Sequence, residues 1–308
     1  MTSHSVQDAA AARMPLFDAH QHFWDTTLER HPWLCGETIE TFRYGDYRAI
    51  CKSYLPADYR RDTSRFRLAG TVYIEAEWRP DDPLGEMHYI EALRRDSGLP
   101  TVAVGQAWLD QPGVEATLEG LREFSFVRGI RHKPRANRLP GDAAPGGMTD
   151  AAWRAGYALL ARHGLHFELQ TPWWHLREAA ELARRFPDIR IVLNHTGLPA
   201  VRSEPMLAAW KHAMAGVAQC PNVGVKISGL GQPGRRWSAA GTRWIVRTTL
   251  DLFGIERCMF ASNFPVDSLC ATFDEIYDGF LDIVADLSLA EQRRLFHDNA
   301  REWYAADR

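Results

Sequence analysis

The chain has 308 residues, of which 45% are hydrophobic and 24% charged, and its 36 Lys and Arg against 39 Asp and Glu leave a net charge of −3. This balance excludes the basic surplus that is typical of nucleic-acid-binding proteins and of proteins attracted to anionic membranes. No uncharged apolar run approaches the roughly 18 residues of a transmembrane helix, and no basic segment followed by an apolar one opens the sequence, so we expect a cytoplasmic protein.

Eight short apolar runs, rich in β-branched residues, alternate with segments whose apolar residues recur at helical spacing. This alternation favours an α/β fold, a (β/α)8 TIM barrel, with a doubly wound open sheet as the alternative. No glycine-rich phosphate-binding sequence follows the first run, which weakens the open-sheet interpretation. The predicted strands are residues 14–19, 68–76, 101–108, 126–132, 165–170, 189–195, 222–228 and 258–262.

The strands predict a single domain at residues 14–308, preceded by an N-terminal tail at residues 1–13. The connection after strand 1, residues 21–67, is long and irregular, and loops of that kind inside a compact domain usually serve function. The segment 133–147 after strand 4 is similarly rich in Pro and Gly. Both follow the C-terminal ends of strands, where barrel enzymes carry their active sites, so we expect both to border a site.

Two histidines, His20 and His22, end the first strand in the segment Asp18-Ala-His-Gln-His. Because side chains on an extended chain alternate between two faces, both imidazoles point to one side. His195 closes strand 6 and reaches the same rim. Three histidines from two strand ends predict either a divalent metal site with an open position for water, or a metal-free group that orients a substrate.

Further ionisable residues lie at or near the same ends of other strands. Glu75 ends strand 2, Arg131 lies at the end of strand 4, and Lys226 belongs to strand 7. Charged side chains are rarely buried without partners, so this clustering favours a polar site over separate ion pairs. Arginine suits a substrate carboxylate or lactone carbonyl, and Lys226 is a candidate to stabilise an oxyanion. The aromatic residues Trp24 and Trp173 are candidate stacking surfaces for a sugar ring.

Six segments of the chain resemble the amidohydrolase-related family, and within it the sugar-lactonase and dicarboxylate-lactonase branch. They are FDAHQHFWD, VRGIRH, LNHTGLP, VKISGL, MFASNFPVD and DNAREWY, in order from Phe17 to Tyr304. The resemblance implies a distorted (β/α)8 barrel that hydrolyses cyclic esters. It also implies that His20, His22 and His195 are site residues and that Arg131 binds substrate.

One position departs from the family pattern. Most members have an Asp after the Ser of strand 8, within G-S-D-W-P, whereas this chain has Asn263. That Asp normally binds the metal or acts as general base, and a neutral amide does neither well. Asp267, four residues further on, is a candidate replacement, and Glu75 is another.

The leading hypothesis is a hydrolase that opens a small lactone by attack of activated water, with a divalent Zn or Mn ion as a possible cofactor and metal-independent action left open. One alternative is a decarboxylase or hydratase of the same barrel family that acts on an unsaturated or aromatic acid. The other is a barrel that binds a small molecule without turnover.

The five cysteines are odd in number and include no C-x-x-C pair, which argues against a disulfide framework and a cysteine zinc site. We expect a small-molecule substrate, no nucleic acid or membrane partner, and a homodimer as the commonest assembly.

Overall fold

The computed structural model describes residues 14–142 and 144–307, and the predicted tail, residues 1–13, lies outside this part of the chain. Eight strands pair in parallel in the order β1 to β8. Every predicted run overlaps one strand, because short β-branched segments bounded by turns are suited to a buried parallel sheet. The strands are β1 Pro15–Gln21, β2 Arg67–Ile74, β3 Val102–Gln106, β4 Val127–Arg131, β5 His166–Leu169, β6 Ile191–Leu193, β7 Val223–Ile227 and β8 Cys258–Phe260.

The sheet closes between the residues that follow β8 and the end of β1. The backbone N–H of Asn263 donates to the carbonyl of His20 at 2.8 Å, and that of His22 donates to the carbonyl of Phe264 at 2.8 Å. These bonds satisfy polar groups that an open edge would leave unpaired. The predicted (β/α)8 TIM barrel is therefore confirmed.

Helices surround the barrel and bury their apolar faces against it. In the helix Leu176–Arg185, for example, Leu176, Ala179 and Leu182 are all completely buried, as their helical spacing requires. None of the helices in the described ranges combines the length and the apolar character needed to cross a bilayer. The helices are α1 Pro32–Cys35, α2 Pro56–Asp62, α3 Gly85–Ser97, α4 Val114–Glu123, α5 Ala151–His163, α6 Leu176–Arg185, α7 Glu204–Ala218, α8 Ala239–Phe253, α9 Phe273–Ile283, α10 Leu289–Arg293 and α11 Asn299–Trp303.

The barrel interior holds an apolar cluster that is separate from the layer between strands and helices. It contains Phe17, Val72, Val104 and Met259, together with Tyr304 from the end of the chain. Layers of this kind make a TIM barrel a packed core and not a pore.

The insertion between β1 and β2 forms an aromatic cluster beside the C-terminal ends of the strands. The rings of Trp24 and Trp33 meet edge to face at 5.5 Å, and those of Phe42 and Tyr47 lie 4.5 Å apart. The Trp33 indole also donates to the carbonyl of Ala76, just beyond β2, at 2.8 Å. These contacts hold a segment with little regular structure against the rim of the barrel.

Candidate active site

A cavity of about 240 Å³ opens at the C-terminal ends of the strands. Its walls come from the ends of several strands and from the insertion after β1, which is the face where barrel enzymes place catalysis. The expectation that this insertion borders the site is consistent with its contribution of seven lining residues. The lining residues are His22, Trp24, Trp33, Ile39, Thr41, Phe42, Arg43, Ala76, Glu77, Arg131, Lys133, Gln170, His195, Asn263 and Val266.

The three predicted histidines lie together. The Nε2 atoms of His20 and His22 are 3.2 Å apart, and the His20 and His195 ring centroids are 4.7 Å apart. His195 follows β6 in a tight turn and adopts a left-handed backbone conformation, with φ of 55°. Such conformations are strained for a residue with a side chain and tend to occur at functional sites.

Each of these imidazoles is oriented by a second partner. The Nδ1 of His22 lies 2.7 Å from the carbonyl oxygen of Ile74, that of His20 lies 3.5 Å from Lys226 Nζ, and that of His195 lies 2.9 Å from Ser228 Oγ. A carbonyl only accepts, so His22 carries its proton on Nδ1. In a neutral histidine, the partner of one ring nitrogen determines whether the other nitrogen carries the proton or the free lone pair.

All three histidines are neutral near pH 7. Burial lowers the pKa of each well below its ordinary value, because an imidazolium would be removed from water. Neighbouring cations add to this effect: Arg131 acts on all three rings, and Arg43 acts on His195. A neutral imidazole has one free lone pair and is able to accept a proton.

Buried neutral histidines predict a loss of stability in mild acid. Their folded-state pKa values lie below the roughly 6.5 of an unfolded chain, so as the pH falls through that value the unfolded state binds protons that the folded state does not. Below it, each histidine lowers the free energy of unfolding by about 1.4 kcal/mol per pH unit, and the three together by about 4 kcal/mol. Urea midpoints at pH 7.5, 6.0 and 5.0 measure this, and His195→Gln should reduce the slope by about one third. An unchanged midpoint down to pH 5.0 would contradict the prediction.

Arg131 lines the cavity and is held by Glu75. Its Nε donates to one Glu75 carboxylate oxygen, Nη2 donates to the Glu75 carbonyl at 2.5 Å, and Nη1 donates to Gln170 at 3.2 Å. The second carboxylate oxygen of Glu75 accepts from the backbone N–H of Glu77 at 2.8 Å. Both carboxylate oxygens of Glu75 therefore accept hydrogen bonds, and Glu75 does not line the cavity. This geometry makes it the positioning partner of Arg131, and its role as a base stays a prediction.

Lys226 is completely buried and does not line the cavity. Its ammonium lies 2.9 Å from Glu168, which also accepts a hydrogen bond from the Tyr304 hydroxyl. Burial lowers the pKa of Lys226 to about 8, and the neighbouring Glu168 carboxylate opposes that shift. For Glu168, burial raises the pKa, but Lys226, His166 and Tyr304 together outweigh it and bring the value to about 2. Lys226 therefore contacts Glu168 and His20 outside the cavity wall, and its oxyanion role stays a prediction.

Asn263 lines the cavity, and Asp267 lies directly behind it. The Asn263 amide donates to Asp267 Oδ1 at 2.6 Å, and the Tyr44 hydroxyl donates to the same oxygen at 2.8 Å. Arg43 Nη2 is 3.7 Å from it. Burial raises the pKa of Asp267, against the opposing effects of Arg43 and Asn263. The structure therefore places Asp267 as an anchor for Asn263 and the insertion, out of contact with the cavity.

The two residues predicted to stack on a sugar ring lie in different concavities. Trp24 lines the cavity, while Trp173 lines a neighbouring groove. Sequence reasoning did not single out Arg43 or Phe42, which also line the cavity, nor the role of Ser228 as the partner of His195. The available signal for the first two was the length of the insertion, which identifies a segment but no side chain.

Residues 17–306 match a protein-family model described as Amidohydrolase. The chain belongs to the amidohydrolase family. The match covers the whole barrel, from β1 to the residues after α11, so the resemblance seen in the separate sequence segments extends to the entire fold.

Three relatives of this amidohydrolase show how far the similarity reaches. An uncharacterized protein of Sinorhizobium fredii, y4mH, is 36% identical over 94% of this chain and 98% of its own length. An L-fucono-1,5-lactonase of Burkholderia ambifaria is 28% identical over 94% of this chain and 96% of its own length. Among solved structures, an amidohydrolase from Burkholderia multivorans with bound zinc is 26% identical, with a TM-score of 0.77, and covers 94% of this chain and 99% of that one.

The donor atoms of this amidohydrolase test the predicted metal site. The 3.2 Å between the His20 and His22 Nε2 atoms suits two ligands about 2.0–2.1 Å from one tetrahedral ion. However, the Lys226 ammonium donates only, so the nearby Nδ1 of His20 is the accepting nitrogen and Nε2 carries the proton. That proton is donated to His22 Nε2, whose own Nδ1–H donates to Ile74. Neither Nε2 then has a free lone pair for an ion.

The rest of the donor set agrees. The strand-8 ligand position holds Asn263, whose amide is neutral and bound to Asp267. Within residues 14–142 and 144–307, no group of three or more His, Cys, Asp or Glu side chains is placed to hold a metal. The residues of this amidohydrolase therefore do not fit a tightly held metal.

Proposed function

We propose that this amidohydrolase opens a small sugar-acid lactone by attack of water on the cyclic ester. The observation that carries the proposal is the neutral His195 beside the Arg131 guanidinium, both in the wall of one cavity. A base and a fixed cation facing the same space are the two groups that ester hydrolysis requires. The end-to-end similarity to an L-fucono-1,5-lactonase supports the choice of a sugar-acid lactone.

His195 is the proposed general base. Its Nδ1 lies 2.9 Å from Ser228 Oγ, and the ring lines the cavity. The proposal assigns the proton to Nδ1, as donor to the Ser228 hydroxyl, which leaves the lone pair on Nε2. Burial and nearby cations keep it neutral, so the base is in its accepting form at pH 7. This residue has a left-handed backbone in the tight turn directly after β6.

Arg131 is the proposed partner of the carbonyl oxygen. Its bonds to Glu75 and Gln170 fix the plane of the guanidinium before substrate binds. A preoriented donor aimed at developing negative charge stabilises a transition state without reorganising during the reaction. Glu75 thus contributes to catalysis through Arg131.

The proposed reaction needs no group beyond water. A water molecule transfers one proton to His195 while its oxygen bonds to the lactone carbonyl carbon, and the carbonyl oxygen becomes an oxyanion beside Arg131. Collapse of this intermediate breaks the bond between the carbonyl carbon and the ring oxygen. The ring oxygen takes the proton back from His195, and the product is an open-chain hydroxy acid.

The aromatic wall of the cavity suits a sugar ring. Trp33 and Phe42 are nearly parallel, with ring centroids 6.0 Å apart, and both line the cavity with Trp24. Aromatic faces bind the apolar C–H face of a ring, while Thr41, Gln170 and Asn263 offer hydrogen bonds to hydroxyl groups. About 240 Å³ accommodates a single six-membered ring more readily than a disaccharide.

The experiment that tests this proposal is a pH-indicator assay of purified protein against five- and six-membered sugar-acid lactones. We expect turnover of at least one six-membered lactone, with release of one acid equivalent per ring opened. The matched control is Lys211→Gln, which removes an exposed cation on α7 that does not line the cavity and should retain most of the activity. Binding of the lactones without turnover would favour a non-catalytic binding barrel.

Chelation is expected to leave turnover unchanged, because the histidine nitrogens bond to each other and to Lys226 and Ile74. Overnight dialysis against 1,10-phenanthroline, followed by elemental analysis and assay, measures this. We expect substantially less than one metal per chain and retention of at least about 80% of kcat/KM. Loss of activity that added Zn²⁺ or Mn²⁺ restores would show that the histidines bind a metal after all.

A further inference from the structure

A second concavity of about 410 Å³ lies beside the catalytic cavity. The loops after β4, β5, β6 and β7 form it together with the insertion after β1, so it belongs to the same face of the barrel. We call it the apolar groove. Its lining residues are Arg43, Tyr44, Arg138, Leu139, Pro140, Pro172, Trp173, Trp174, Leu198, Pro199, Ala200, Val201, Met206, Gly229 and Gly231.

The groove exposes apolar side chains to water. Leu139 is 69% exposed and Val201 is 63% exposed, and they are two of the six large hydrophobic residues that are exposed in the described part of the chain. Trp174 and Met206 are partly buried beside them. Adjacent exposed apolar groups in a concave site mark a binding surface, since single exposed ones are ordinary but a lined groove is not.

Its aromatic wall is held in place before any ligand binds. The Trp174 indole donates to the carbonyl of Asn137 at 3.0 Å, and the backbone N–H of Asn137 donates to His175 Nε2 at 2.9 Å. The Trp173 and Trp174 rings meet edge to face at 5.5 Å. A wall fixed in this way loses little conformational entropy on binding.

Arg43 connects the groove to the catalytic cavity, because it lines both. Its guanidinium lies over the Tyr44 ring at 4.5 Å, and Nη2 is 3.7 Å from Asp267. Its Nη1 is buried and has no hydrogen-bond partner among the described residues. A buried donor without a partner is costly, and an oxygen atom of a ligand that passes between the two spaces would satisfy it.

We propose that the apolar groove is a substrate subsite that holds an apolar substituent of the lactone, an alkyl or aryl arm, while the ring occupies the catalytic cavity. Arg43 then binds an oxygen atom at the junction of ring and arm. The inference rests on the proposed lactone hydrolysis and narrows its substrate to lactones that carry such an arm. The shared Arg43 and a volume typical of small-molecule pockets favour an arm over a protein partner.

The test compares six-membered lactones that differ only in the arm on the carbon next to the ring oxygen: δ-valerolactone without an arm, δ-octalactone with a propyl arm and δ-decalactone with a pentyl arm. Each methylene that enters the groove should raise kcat/KM by about fourfold. We therefore expect at least about a tenfold rise from the first compound to the third. Equal kcat/KM across the series would overturn the proposal.

Val201→Asp places a charge in the groove at an exposed position, so the fold should be preserved. It is expected to remove the preference for the pentyl arm and to leave turnover of δ-valerolactone unchanged. Leu289→Asp is the matched control, because Leu289 is 75% exposed on α10 and lines no part of the groove. A loss of the preference in both variants, or in neither, would contradict the assignment.

Fluorescence titration separates the failure of this inference from the failure of the proposed function. If no lactone is opened, the lactonase proposal fails, but 5-hydroxydecanoate should still change the tryptophan emission and bind at least about tenfold more tightly than 5-hydroxypentanoate. Val201→Asp should abolish that difference. Equal affinities for 5-hydroxydecanoate and 5-hydroxypentanoate would contradict the subsite assignment. So would a dimer that Val201→Asp dissociates while the difference between the two affinities stays the same, because the groove would then be a contact between subunits.

Discussion

Replacing His195 by Gln is expected to lower kcat/KM for lactone opening by at least about 100-fold, the usual contribution of a general base. Gln preserves the burial and a hydrogen bond to Ser228, but its amide does not accept a proton at ordinary pH. Initial rates on the best lactone of the panel measure the effect. Because the side chain is replaced by one of similar size and polarity, the thermal midpoint should change by only a few degrees.

His297→Gln is the matched control for this variant. His297 is also buried, but its ring lies beside Phe17 at the start of β1, at the opposite end of the barrel from the cavity. The same chemical change there should leave kcat/KM within about twofold of the wild-type value. Unaltered turnover in His195→Gln would contradict the assignment of His195 as the general base.

Lys226→Met is expected to destabilise the protein by about 3–5 kcal/mol, because it leaves the Glu168 carboxylate buried without its cation. Both side chains of the pair are completely excluded from water. For a domain of this size the loss corresponds to a fall in the thermal midpoint of roughly 10 °C. Met retains the length of the Lys side chain, so the effect reports mainly the uncompensated charge. Differential scanning calorimetry measures it.

The double variant Lys226→Met/Glu168→Gln is the control for the charge. It removes both ions, and replacing a buried pair together is often far less costly than removing one partner. We therefore expect it to recover most of the lost midpoint, with an interaction free energy between the two sites of at least about 1 kcal/mol. A single variant as stable as the wild type would show that Glu168 is neutral in the folded protein.

Asn263 illustrates a departure that is visible in the sequence but interpretable only in the structure. The resemblance suggests that Asp267 or Glu75 takes over the missing carboxylate function. In the folded chain, Asp267 accepts from Asn263 and Tyr44, and Glu75 pairs with Arg131. Both carboxylates are buried with hydrogen-bond donors of their own, which is why we propose His195 as the proton acceptor.

Lys226 and Glu168 show why strand assignment alone does not locate a side chain. Both were correctly placed on barrel strands, but whether an ionisable residue on such a strand reaches the cavity depends on its depth below the rim. Lys226 lies beneath His20, and Glu168 lies deeper, against Tyr304 from the last turn of the chain. The periodicity of a strand indicates which of its side chains point into the barrel. It does not indicate how far from the rim each of them lies.

By itself the sequence determined the eight-strand barrel, the strand ends that carry polar residues, and the convergence of His20, His22 and His195, because each follows from local periodicity and the direction of parallel strands. Only the tertiary structure decided which of those residues face the cavity and which pair beneath it. It also placed Arg43 and Phe42, from an insertion without periodicity, in the cavity wall. The physical reason is that two side chains in contact inside the barrel can be far apart in the sequence. Lys226 and His20, for example, are separated by 206 residues. Local sequence specifies neither the distance between such atoms in space nor the positions of the protons between them.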